Sequence, residues 1–386
     1  MRSVYVSVIN DLVTDQRVRR HVDFLVERGM EVTWIGRRLK NSPDTGETAF
    51  RVKRFRMLFT SGPLFYACYN LRLFFYLLFR RRPLLLVSND LDTLPANYLV
   101  SKIRRVHLLY DSHEYFTGVP ELIGRPRVQK LWKRIEGLLV PGLKLAMTVS
   151  PSIANLYREK YHVDFEVVRN LPRKRGPVKD ASFRLLYEGK NIILYQGAVN
   201  LGRGLELLIE TMIFLEQTVF LIAGDGDIVN DLRALIRERD LGDRVFLLGR
   251  LQPEELFRIT CNADLGTSME EDLGLNYRFA LPNKIFDYIQ ARIPVLCSDL
   301  PEMKAVVEDY KIGIATPVRE PEKLAEIIEG MLVGRKEGRW ETALEGASRQ
   351  LCWENESAVL DRMLSKLGIR RTSKTEQDRF LRGTPE

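Results

Sequence analysis

Asn276–Leu296, NYRFALPNKIFDYIQARIPVL, follows the apolar run Ala263–Ser268 and ends inside a second one, Pro294–Ser298. Short apolar runs of this kind read as strands buried on both faces. The residues between them have helical periodicity, with Pro282 where the helix begins, a place proline favours because its missing N–H has no partner there. The open amides of that first turn, with Lys284 beside them, make an anion site. Asp287 lies three residues on along the same face, where a carboxylate accepts hydrogen bonds from sugar hydroxyls. A ligand with both phosphate and ribose fits, and nucleotide sugar is the leading reading.

The alternation extends over the whole chain, which predicts an α/β protein with parallel sheets and helical crossovers. In the first half strands are expected at Val4–Ile9, Glu31–Ile35, Leu84–Ser88, His107–Tyr110 and Ala146–Val149. Helices are expected over Gln16–Arg28, Leu64–Phe79, Thr93–Ile103, Val128–Leu138 and Pro151–Glu159. A polar, basic stretch, Arg173–Arg184, then interrupts the pattern. It restarts with strands at Asn191–Gln196, Val219–Ala223, Arg244–Leu248, Ala263–Ser268, Pro294–Ser298 and Gly313–Ala315, and with helices that include Leu205–Phe214 and Ile228–Glu238. Two Rossmann-like, doubly wound domains facing an interdomain cleft are therefore expected, with residues 1–175 and 188–345 as the domains and 176–187 as the linker. Residues 346–370 form a terminal helical segment and 371–386 a polar tail.

A length of 386 residues suits two cores, and 45% apolar residues excludes wholesale disorder. The net charge of +8 fits anionic ligands or an anionic membrane face. No basic run interleaved with aromatics favours nucleic acid. Cys68, Cys261, Cys297 and Cys352 are scattered without ligand spacing, as are the histidines, so no metal and a reducing cytoplasm are expected. The start, MRSVYVSVIN, enters a strand directly rather than a leader peptide. Leu64–Phe79 is the greasiest segment, but Asn70 and Arg72 break it. It reads either as a core-facing helix with a basic end or, with Arg80–Arg82 after it, as a helix at a membrane interface.

The second half holds a set of turns between strand and helix. Tyr195–Gln196–Gly197 ends one strand, and Leu201–Gly202–Arg203–Gly204 opens a helix; the glycines admit a phosphate and Arg203 offers a fixed fork of donors. Ala223–Gly224–Asp225–Gly226 repeats the placement, although alone it is an ordinary turn.

Taken in order, YQGAVNLGRGLELLIE, FLIAGDGD, RVFLLGRL, ADLGTS, LPNKIFDYIQARIPVLCSD and LCWENESAVL resemble the family 4 retaining glycosyltransferases of GT-B fold. The first half agrees through NDLVTDQRVRRHVDFLVERGMEV, LLLVSNDLDTLPA, LLYDSHEYF and TVSPSIANLY, so the resemblance covers roughly Val4 to Leu364. It implies donor binding by the C-terminal domain, with Gly197, Arg203, Gly224, Leu251, Asn283, Lys284 and Asp287 on the donor. Asp287 stands in the second place of the family's acidic pair, one methylene shorter than the usual Glu, and Phe279 occupies the first. Sugar recognition is then left to the amides around Arg278–Leu281 or to Asn276. Arg203 matches the family's basic residue on the diphosphate, while the usual glycine near the motif's end is Arg292, read as an added surface charge.

In the N-terminal half His113 resembles the histidine beside the donor sugar, with Asp15, Arg17 and Asp90 on the acceptor side. Asp92 is expected to cap the helix at Thr93. The expected reaction moves a sugar from a nucleotide diphospho-sugar to a glycan or lipid-linked acceptor with retention, using no cofactor or metal, in surface polysaccharide or glycolipid assembly. His113, Arg203 and Lys284 are the catalytic candidates. Replacing Arg203 or Lys284 by alanine is expected to slow turnover while sparing the fold. A cytoplasmic protein at the inner membrane face is implied. The alternatives are a non-catalytic nucleotide-sugar-binding subunit and a GT-B-fold epimerase. A nicotinamide dehydrogenase fits poorly, because Asn10–Asp11–Leu12 lacks the glycine fingerprint.

Overall fold

The computed structural model describes residues 2–369 except Thr14, Asn41, Pro43, Pro120, Glu121 and Ile123. The polar tail from 371 lies outside the described residues. The chain divides into two compact units, residues 1–169 with 357–386, and residues 170–356.

The first unit is built on a seven-stranded sheet in the order β3-β2-β1-β4-β5-β6-β7. Its strands are β1 Ser3–Asp11, β2 Glu31–Arg37, β3 Arg51–Phe55, β4 Leu85–Asn89, β5 His107–Ser112, β6 Ala146–Thr148 and β7 Glu166–Val167. The second unit has six strands in the order β10-β9-β8-β11-β12-β13. These are β8 Asn191–Gln196, β9 Thr218–Ala223, β10 Val245–Gly249, β11 Leu265–Ser268, β12 Val295–Ser298 and β13 Gly313–Thr316. Every pairing is parallel. Each strand read from the sequence overlaps one of these, with ends shifted by up to two residues, because parallel strands covered on both faces are rich in apolar residues.

Strand β3 was not expected. Its sequence, RVKRF, is too charged to signal burial, and it lies on the sheet edge, where charges also discourage pairing with other chains. The basic segment read as linker contains a short helix, Ala181–Leu185, whose N-cap Asp180 accepts from the Phe183 amide. The terminal segment is two helices, Glu341–Gln350 and Trp353–Lys366. The second of these passes into the first unit at Ser357, where Asp361 pairs with Arg28 and Lys366 with Glu166 at 2.6 Å.

Strand order reverses between β1 and β4 in one sheet and between β8 and β11 in the other. Ligands of open parallel sheets bind beyond the carboxyl ends of strands at such reversals. Both clusters described next lie there.

Candidate functional site

In the second unit, Gly197 follows β8 with φ of 130° and Gly224 follows β9. A side chain at Gly224 would collide with the Gly197 carbonyl at 1.8 Å, so this glycine serves the close approach of two turns. Gly202 and Gly204, flanking Arg203, also hold left-handed backbone, at φ of 78° and 69°.

The carboxylate at the centre of this site, Glu270, follows β11 and is wholly buried. Lys284 donates to its Oε1 at 2.8 Å, Ser268 to its Oε2 at 2.7 Å, and Arg203 Nη1 lies 3.8 Å from Oε1. Burial works to raise the Glu270 pKa, but the Lys284 ammonium, the Ser268 hydroxyl and Arg203 together hold it below the ordinary value. Lys284 is itself buried, sits 3.8 Å from the Tyr195 ring centroid and passes beneath Gly197. The expectation that it stands open at a helix end is corrected: its ammonium is already bonded inside the fold. Pro282 is the extended residue before helix Asn283–Ala291, and Asn283 is exposed as the helix's first residue.

Asp287 accepts from Gln196 Nε2 at 2.8 Å, and Thr260 donates to Gln196 Oε1 at 2.8 Å. The Gln196 amide is thereby fixed with its NH₂ towards the carboxylate. Arg203 is the less committed cation. Its Nε is buried without a protein partner, and its guanidinium carbon lies 5.4 Å from the Tyr277 ring centroid. Arg319 secures the loop by donating to the carbonyls of Met269 and Glu270, at 3.1 and 2.9 Å, and to Ser298 Oγ. Arg278 is taken up by Asp272 at 2.6 Å, and Leu251 packs half-buried against the unit's core. Arg292 is more than a surface charge. It ends its helix at φ 58°, the left-handed position that glycine adopts without steric cost.

The first unit holds a second polar cluster. Asp111, at the end of β5, is buried and receives Arg17 through Nη2 at 2.8 Å and Nε at 3.3 Å. Arg17 also donates to the Val168 carbonyl, so its guanidinium is bonded within this unit. Asp15 is a helix N-cap, accepting from the Val18 amide. His113 lies between two carboxylates, with Nε2 3.2 Å from Asp111 and Nδ1 3.1 Å from Asp90. Asp90 adopts a left-handed φ of 59°, which aims its carboxylate at both the ring and the amide of His113. Asp92 does not cap the following helix, which starts at Leu94 without a side-chain cap. It is buried with Oδ1 unpartnered, and burial followed by the Asp90 charge raises its pKa well above the usual range.

Two histidines on one carboxylate titrate in opposite senses. Burial pushes His21 down to about 4, although its Nδ1 is 3.2 Å from Asp111. Burial also acts to lower His113, but Asp90 and Asp111 outweigh it and raise it well above the ordinary value. Between about pH 6.5 and 4 the unfolded chain binds a proton at His21 that the fold refuses, so stability falls with pH there. Above about 6.5 the fold keeps a proton on His113 that the unfolded chain sheds, so that stabilisation disappears as pH rises through the folded pKa. His21 and His113 thus favour a maximum near pH ~6.5, while Asp92, which keeps a proton in the fold above the usual carboxylate range, loses that contribution as pH rises and opposes the His21 limb. Melting temperatures across pH should show His21→Gln losing part of the rise from pH ~4 to ~6.5 that the parent has, and His113→Gln losing part of the alkaline fall; variant profiles with the parent's slopes would contradict the arrangement.

With this geometry in place the chain was compared with known proteins. Residues 179–341 match the family model described as Glycosyl transferases group 1. The chain is 28% identical over 151 residues to alpha-D-kanosaminyltransferase of Streptomyces kanamyceticus, an alignment spanning 38% of this chain and 37% of that protein. Among solved structures it resembles sucrose-phosphate synthase from Thermosynechococcus elongatus, with a TM-score of 0.81 at 17% identity, covering 95% of this chain and 99% of that one. It also resembles Anabaena HepE in complex with UDP-glucose, with a TM-score of 0.70 at 14% identity, covering 95% and 100%. These likenesses establish the GT-B fold of two Rossmann-like units. The segment carrying the group 1 match contains Gly197, Arg203, Glu270, Lys284 and Asp287.

Proposed function

We propose that the chain is a glycosyltransferase that moves a sugar from a nucleotide diphospho-sugar to an acceptor hydroxyl with retention of configuration. One observation carries the reading: Arg203 and Lys284 converge on Glu270 beside the Gly197 turn, at the strand-order reversal of the unit that matches group 1 glycosyl transferases. Cleavage of the bond to the sugar leaves charge on the diphosphate, and fixed cations stabilise it where it develops. Arg203, with a buried donor uncommitted, acts on that charge, and Asp287, oriented through Gln196, takes the ribose hydroxyls. The neighbouring fold of HepE, solved with UDP-glucose, supports a donor of this class. Attack on the same face, assisted by the departing diphosphate, suits a site whose central carboxylate is already paired and therefore a poor nucleophile. No metal enters this scheme.

The test is a melting-temperature screen against UDP, GDP, ADP and their sugars. Saturating ligand at about 100 Kd adds ~2.7 kcal/mol of stability. Turnover by the donor that shifts the melt, in the presence of acceptor mixtures, then separates transfer from mere binding. Binding without turnover would favour a non-catalytic subunit, and conversion without acceptor an epimerase.

We further propose that the protein works in surface glycan or glycolipid assembly, attached to an anionic membrane face. Among the described residues no helix is long and apolar enough to cross a membrane. Helix Gly62–Phe79 buries Phe65, Tyr69, Leu73 and Leu77, yet its other face presents Leu64, Leu71, Phe75 and Phe79 at 61, 59, 48 and 79% exposure. Arg80, Arg81 and Arg82 follow directly, a basic rim that complements anionic headgroups. Sedimentation with phosphatidylglycerol vesicles should fall several-fold in Phe75→Ser/Phe79→Ser and be weak with phosphatidylcholine alone. Equal sedimentation of variant and parent removes this helix from the interface.

A further inference from the structure

Beyond the carboxyl ends of β2 and β3 the chain forms a pocket of about 370 Å³ that the transfer chemistry above does not use. Two stretches build most of it, Arg37–Lys40 from the last residue of β2 onward and Arg56–Thr60 after β3, and Phe65 completes the lining. Among the described residues its wall carries Arg37, Arg38, Lys40 and Arg56 and no carboxylate. Of the acidic residues at this end of the sheet, Asp11 and Asp44 both pair with Arg54, at 3.9 and 3.5 Å. Arg37 is held in place by the Phe65 ring, 5.0 Å from its guanidinium carbon, and by a bond to the Thr60 carbonyl at 3.2 Å. Its Nε is buried without a protein partner. Cations lining a wall that holds no carboxylate repel one another, and an anion placed among them relieves the repulsion.

The rest of the wall is apolar. Met57 and Phe59 line the pocket, and Leu58 between them is 96% exposed. An inorganic anion alone leaves this surface uncovered. We propose that the pocket binds the phosphoryl group of an amphiphilic acceptor, the arginines on its oxygens and its apolar chain along Met57, Leu58 and Phe59. Guanidinium forks match phosphate oxygens in pairs, and apolar contact supplies the remaining affinity. The word acceptor rests on the transfer reaction proposed above, whereas the binding site itself does not.

The probe is decyl phosphate below its micelle concentration, titrated into the full chain beside inorganic phosphate and decyl maltoside. Decyl phosphate is expected to bind at least tenfold more tightly than either. Arg38→Gln/Arg56→Gln, at two exposed positions, should weaken it at least tenfold while nucleotide diphosphate binding stays unchanged. Decyl phosphate affinity that survives the double substitution overturns the site, and inorganic phosphate binding equally well overturns the amphiphile. Absent nucleotide binding beside pocket-dependent decyl phosphate binding sinks the transfer reading and leaves the pocket standing.

Discussion

Lys284→Ala is expected to destabilise the second unit by about 3 kcal/mol, the lower part of the ~3–5 kcal/mol range for breaking a buried pair. The substitution leaves the Glu270 carboxyl fully buried without its closest cation, with Ser268 and a more distant Arg203 as its remaining partners. Arg203 Nη1, 3.8 Å away, keeps the loss from the upper end. For a unit of this size the melting temperature should drop by roughly 6–12 °C. Any fall in turnover by this variant therefore mixes lost chemistry with lost fold, contrary to what the position in the sequence implies. Lys284→Met/Glu270→Gln separates the two, because removing both charges takes away the uncompensated carboxylate. The double variant should melt within a few degrees of the parent. A single variant that melts with the parent would show that the pair is solvated, and would undo the buried cluster.

Arg203→Ala should instead leave the melting temperature within about 1–2 °C of the parent, since its guanidinium is part-exposed and its contact with Glu270 is long. Its effect falls on chemistry. Loss of one preorganised donor to developing charge costs about 2.7–4 kcal/mol of barrier, or a factor of ~10²–10³ in kcat. Since the diphosphate carries more charge in the transition state than in the bound donor, kcat should fall further than KM rises. Measured with the donor that the melting screen selects, a kcat within about twofold of the parent would remove Arg203 from the reaction.

The legible parts of the molecule are those whose signal is local. Apolar runs gave the strands, and Gly202–Arg203–Gly204 announced a turn that carries a cation, since glycine spacing reports backbone conformation directly. The signal of Lys284 was local too, but its meaning was not. Its partner Glu270 lies 14 residues away across a loop, and nothing in the intervening composition says that both are buried. The partner of Arg17 was hidden for the same reason, with Asp111 separated from it by 94 residues and brought close by sheet order alone. Arg292 shows a different limit, because a left-handed helix end is invisible when a charged residue fills it. Strand β3 was hidden by edge charges. The Asp111–Ser112–His113–Glu114 phrase was seen, yet only the histidine was singled out, although Asp111 organises the cluster.

The chain keeps Glu270 between Arg203 and Lys284, so the trio carries one net positive charge before any ligand arrives. Under the proposed reaction a diphosphate leaving group would meet enough attraction to be steadied, but not the full pull of two bare cations. Product release limits turnover in many enzymes, and under the proposed transfer reaction a built-in counter-ion would loosen the last grip on the spent nucleotide.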